Sequence, residues 1–194
     1  MKKLFFIAMV LMAAMMSANV ESFAQTQYAK FKGISMDEPL SSFVNKLTKD
    51  GFKLFEIKDG TAYLTGKFAG DPDCMIAVHS EKGVVDQVTV MFSFFSSWEL
   101  AKYKYDSLKE NFKLKYNYSP IEHEHFEDSC TSDLLKYYAL KELKAEWYCG
   151  FKIPGGGALI SIDAALETGI FALKIVYYDS INSEIVKASE MEDI

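Results

Sequence analysis

The chain has 194 residues, 49% hydrophobic and 25% charged, with a formal net charge of −6 and no arginine. That acidic, globular balance disfavours a nucleic-acid partner, since a phosphate backbone demands a basic face. Without arginine the bidentate forks that grip phosphate and carboxylate groups are missing, and lysine supplies only point charges.

Lys2 and Lys3 precede an uninterrupted apolar run from Leu4 to Met16, followed by Ser22 and Ala24 around Phe23. This is the pattern of a secretory signal peptide over residues 1–24. The run is too short to span a bilayer, which takes about 20 residues. No cysteine follows it, so no lipid anchor is expected and the mature chain is expected to be soluble in the periplasm or medium. Removing Lys2, Lys3 and Glu21 leaves a charge of about −7.

In an oxidising compartment the three cysteines, Cys74, Cys130 and Cys149, could form one disulfide, but an odd count leaves at least one over. Their spacing does not choose a pair. Cys74 and Cys149 read best as buried strand residues behaving as small hydrophobes.

Phe31 to Ile34 suits a short edge strand before the first helix. Asp37-Glu38-Pro39 opens that helix, Leu40, Phe43, Val44 and Leu47 recur at its period, and Gly51 ends it. Four strands are expected next. They are Phe52 to Ile57, Thr61 to Phe68, Cys74 to His79 and Val84 to Phe92, with turns at Lys58-Asp59-Gly60, Gly70-Asp71-Pro72-Asp73 and Glu81-Lys82-Gly83. The last strand is expected to set Val84, Asp86, Val88, Val90 and Phe92 on one face against Val85, Gln87, Thr89 and Met91. Such regular turns argue an antiparallel meander, because parallel strands need helical crossovers.

Phe95 to Tyr118 reads as one long amphipathic helix. Trp98, Ala101, Tyr105, Leu108 and Phe112 form its apolar stripe, with Lys102, Lys104, Lys109, Glu110 and Lys113 between them. Ser96 and Glu99 stand as a capping box, flanked by Phe95 and Leu100 as a hydrophobic staple. An acidic loop with His123 and His125 follows. Leu135 to Leu140, Trp147 to Ile153, Ala158 to Ala164 and Ile170 to Asp179 are then expected as strands, Pro154 to Gly157 as a hairpin turn, and a short helix after Asp179.

Residues 66–79 lie against 150–163, and 84–92 against 169–178, at a nearly constant offset. The chain therefore reads as an α+β protein in which two tandem helix plus antiparallel β-meander units, residues 25–95 and 96–194, form one sheet with helices on one face. This architecture resembles the β-lactamase-inhibitor-protein (BLIP) fold. Phe31-Lys32-Gly33-Ile34, Gly66-Lys67-Phe68-Ala69-Gly70 and Ile181-Asn182-Ser183 also resemble segments of uncharacterised exported proteins of gut anaerobes. The resemblance implies a curved sheet with a surface free to bind a partner. No inhibitory-loop residues carry over, and fold analogy does not itself give a function.

Catalytic motifs are missing. There is no G-x-S-x-G elbow, H-E-x-x-H helix or P-loop, and His79 ends an apolar strand. No catalytic or metal site is assigned, and no cofactor is expected. His123 and His125 would share one side of an extended segment, the basis of an alternative reading as a metal site across residues 122–130, although an acidic loop is ordinarily a solvated surface. Tyrosines gather in the second half, and the pairs Tyr137 with Tyr138 and Tyr177 with Tyr178 are expected to put one ring on each sheet face. The function expected is therefore a non-enzymatic module binding a protein partner through the open sheet face. A small-molecule or glycan binder is the further alternative.

Overall fold

The computed structural model describes residues 27–192, with side chains through Val186. The expected signal peptide lies outside what is described; of the stretch expected to fray, Glu190 to Glu192 belong to the final helix and Asp193 lies outside the described residues. A two-stranded ribbon, β1 (Lys30–Phe31) and β2 (Ile34–Ser35), leads into helix α1 (Leu40–Lys49), which buries Phe43, Val44 and Leu47 as its period requires. Strands β3 (Lys53–Lys58), β4 (Thr61–Phe68), β5 (Asp71–Glu81) and β6 (Val84–Met91) then run as the expected meander. The second turn sits one step earlier than its Asp-Pro-Asp sequence suggests. Ala69 and Gly70 take the positive φ values of +47° and +85°, so Asp71 to Asp73 already belong to β5.

Helix α2 (Trp98–Tyr116) buries all five residues of its apolar stripe. Its cap is Ser97, whose hydroxyl accepts from the Leu100 amide at 3.3 Å, and not Ser96. With the cap moved one residue, Leu100 takes the third helical position and lies exposed, so neither the capping box nor the staple forms. The freed Trp98 amide donates instead to Asp133 at 3.0 Å.

Strand β7 (Ile121–Glu124) forms where an acidic loop was expected, and helix α3 (Asp133–Lys141) replaces the strand expected over Leu135 to Leu140. Ser132 caps α3 by accepting from the Leu135 amide, and Tyr137 and Leu140, three apart, share its buried face. That is a helical period, and a strand would have placed them on opposite faces. Strands β8 (Trp147–Ile153), β9 (Gly156–Ala164) and β10 (Phe171–Asp179) follow, then helix α4 (Ser180–Glu192), whose first turn is held by Asp179 accepting from the Asn182 amide at 2.8 Å.

The larger sheet is fully antiparallel and has eight strands in the order β3-β4-β5-β6-β10-β9-β8-β7. Each half contributes four neighbouring strands, and the halves join where β6 meets β10, with Val88 opposite Tyr177 and Val90 opposite Ile175. Turn glycines Gly70 and Gly83 in the first half are matched by Gly155 and Gly169 in the second, all at φ between +80° and +85°. Buried residues of α1, α2 and α3 join the inward residues of β4, β5, β6, β8, β9 and β10 in one continuous core, so the helices cover one face. Cys74 and Cys149 lie in that core, unpaired. Burial pushes their thiols up to about 11 and about 12, which keeps both protonated and unreactive at neutral pH.

Strict alternation fails in β6. A bulge opposite His79 and Ser80 shifts the register, so Val85 and not Val84 joins Val88 and Val90 in the core.

Candidate interaction face

Where one face of the sheet is covered by helices, the residues that alternate with the core positions define the other, and on it Tyr148, Gly150, Gly157, Ser161, Val176 and Tyr178 are buried although they point away from the helices. Read through the strand register, they form three rows that cross the sheet. The first runs Lys53, Thr65, Met75, Met91, Lys174, Ser161, Tyr148, His123. The second, two residues away on each strand but three on the bulged β3, runs Glu56, Tyr63, Ala77, Thr89, Val176, Leu159, Gly150, Ile121. The third runs Lys58, Thr61, His79, Gln87, Tyr178, Gly157, Lys152.

The rows differ in chemistry. From Tyr63 to Ile121 the middle row carries no charge, and at about 4.8 Å per strand this uncharged stripe is about 29 Å long. The flanking rows hold the ions. Lys174 meets Asp163 at 2.8 Å, and His79 Nδ1 donates to Asp86 at 2.7 Å. That hydrogen bond raises the pKa of His79 against the opposing effect of burial.

The tyrosine pairs do not behave as expected. Tyr177 and Tyr178 do point to opposite faces, but they are only 4% and 6% exposed. Tyr177 packs under the helices against Phe31 and Phe112. Tyr178 lies across Gly157 of the neighbouring strand so closely that a Cβ there would fall within its ring, and the glycine thus gives the ring a place to lie flat. Tyr137 and Tyr138 sit on α3, not on a strand, with Tyr137 buried and donating its hydroxyl to Ala165 O at 3.0 Å. The outward ring that the pair patterns did not flag is Tyr63. Tyr148 is also outward and is stacked by His123 with ring centroids 5.3 Å apart.

His123 and His125 are not held on one extended strand, since β7 ends at Glu124. Among the described residues no three His, Cys, Asp or Glu side chains come together in a way that could hold a metal ion. Glu124 has a different task. It accepts from Tyr105 at 2.6 Å and pairs with Lys109 at 2.7 and 2.9 Å, while Glu122 meets Lys109 at 3.4 Å and Lys113 at 3.7 Å. Burial disfavours the charge on Lys109, but the Glu124 and Glu122 carboxylates together outweigh it and raise the lysine pKa. This cluster fastens α2 to the β7 edge. Glu124 lies between helix and strand with its oxygens engaged by Tyr105 and Lys109.

No helix among the described residues is long and apolar enough to cross a membrane. The chain matches no protein-family model, no curated protein and no solved structure, so the candidate face rests on its own geometry.

Proposed function

We propose that this is an exported interaction module that binds a protein partner on the face of its eight-stranded sheet opposite the helices. The observation that carries the reading is the uncharged middle row, which crosses the β6–β10 junction without interruption and in which Tyr63, Ala77, Thr89, Leu159 and Ile121 are accessible, while Val176 and Gly150 are buried. A stripe of small and apolar residues, flanked by rows in which Met75, Met91 and Tyr148 lie beside lysine and histidine, has the layout of a binding patch with a more apolar centre and charged residues toward its rim. Export is supported by Lys2, Lys3 and the apolar run behind them. The mirrored strand order supports reading the fold as two tandem units related to the BLIP architecture. Nothing found among the described residues or in the comparisons points to an enzymatic activity.

The test is a photo-crosslinking amino acid placed in cells at Thr89 or Leu159 on the open face, and at Leu114 on the helix side. One discrete crosslinked protein from Thr89 and Leu159, and none from Leu114, is the expected result. Crosslinks from Leu114 alone, or equally from all three, would overturn the assignment of the face.

A further inference from the structure

The two ends of the sheet are guarded differently. At the β7 end, Glu122 and Glu124 are held by Lys109 and Lys113 of α2, and the strand offers a like strand two carboxylates and no lysine. At the other end β3 pairs only with β4, and all six of its residues are exposed. Leu54, Phe55 and Ile57 are 44%, 80% and 55% exposed. Leu54 and Ile57 stand opposite Leu64 and Ala62, both buried, and so lie on the helix side of the sheet, yet the helix layer leaves them uncovered.

A bulge between Leu54 and Glu56 decides what this edge can accept. In a regular strand Lys53 and Glu56, three apart, would point to opposite faces. Here Lys53 stands opposite Thr65 and Glu56 opposite Tyr63, two outward residues of β4, so lysine and glutamate share the open face. We propose that β3 pairs antiparallel with β3 of a second copy of this chain about a two-fold axis between Leu54 and Phe55. In that register Lys53 of each copy meets Glu56 of the other, and Leu54 of each meets Phe55 of the other. Lysine on an edge strand ordinarily repels other edges, but the symmetric glutamate turns that guard into a selective attraction. A slip by one residue sets Lys53 against Ile57 and Glu56 against Leu54, and the charge pairing is lost. The pairing leaves the proposed binding face open and continues it across both copies, and it stands whether or not that face binds a partner.

The experiment is sedimentation of the full mature chain over a concentration series at low salt, with circular dichroism to confirm folding. The wild type is expected to dimerise. Lys53→Glu and Glu56→Lys each place like charges in two symmetric positions and are expected to weaken the dimer about tenfold. The double variant Lys53→Glu/Glu56→Lys restores opposite charges and is expected to return the wild-type dissociation constant. A wild-type chain that stays monomeric throughout would overturn the proposal, as would single variants that dimerise like wild type or a double variant that does not recover.

Discussion

Replacing Lys109 by methionine keeps the helix propensity and most of the side-chain volume but removes the ammonium that faces Glu124. Lys109 and Glu124 have side chains 11% and 16% exposed, with Nζ 2.7 Å from the nearer carboxylate oxygen. Breaking a buried pair by removing one partner costs about 3 to 5 kcal/mol, because the other charge is left uncompensated. Two features reduce this. Glu124 keeps the Tyr105 hydroxyl as a donor at 2.6 Å and retains some contact with water, so Lys109→Met is expected to cost about 2 to 3 kcal/mol. The reverse change, Glu124→Leu, is expected to cost less, about 1 to 2 kcal/mol, since Lys109 still has Glu122 at 3.4 Å. The double variant is expected to cost about 1 to 3 kcal/mol, less than the sum of the singles by a coupling energy of about 2 kcal/mol, since Tyr105 then lacks its acceptor. Urea unfolding followed by tryptophan fluorescence measures all three, with the slope checked for constancy. The raised lysine pKa fixes the pH dependence. Stability from this pair is fully present below the unfolded value of about 10.4 and is lost as pH rises through the higher folded value, so the wild-type advantage fades only in strong alkali. Single variants that cost under 0.5 kcal/mol, or that add without coupling, would refute the buried network.

Trp98 packs against Trp147, Phe126 and Phe171 at centroid distances of 4.7, 4.8 and 5.6 Å, so Trp98→Ala is expected to cost about 3 to 5 kcal/mol in urea unfolding. A negligible loss would show the stripe of α2 facing elsewhere. Gly157→Ala drives a methyl group into Tyr178 and is expected to cost about 1 to 3 kcal/mol, a penalty that Tyr178→Ala in the same chain should relieve. Because Asp86 raises the pKa of His79, their pair stabilises the fold fully below about pH 6.5 and loses that contribution as pH rises through the folded value. Asp86→Asn should flatten this part of the stability profile between pH 5 and pH 9, and an unchanged profile would remove the pair as its source.

Much of this fold can be read before any coordinates. The stripe of α2, the first and third turns of the first meander and the limits of β8 follow from local sequence, where each residue's role depends on neighbours close in the chain. The errors fall where a distant partner decides. Leu135 to Leu140 is apolar enough for a strand, and its helix buries Tyr137 and Leu140 together, with the Tyr137 hydroxyl reaching the distant Ala165 carbonyl. The acidic stretch at Glu122 and Glu124 looks solvated until Lys109, placed among the surface residues of α2, supplies its counter-charge. The tyrosine pairs misled because Gly157, two strands' worth of sequence away from Tyr178, gives that ring a place to lie. The outward face was legible in outline, as the positions that alternate with the core ones, but not the burial of Tyr148, Ser161, Val176 and Tyr178 on it. Its uncharged row was not, since it exists only in the register of eight strands.

That row depends on β6 lying beside β10, which makes one face from two four-stranded halves. The most direct measurement is a proton NOE spectrum of the folded chain across that junction. Cross-strand effects joining Thr89 to Val176 and Val90 to Ile175 are predicted. Their absence, with β6 or β10 paired to a different strand, would contradict the continuous sheet and the binding face built on it.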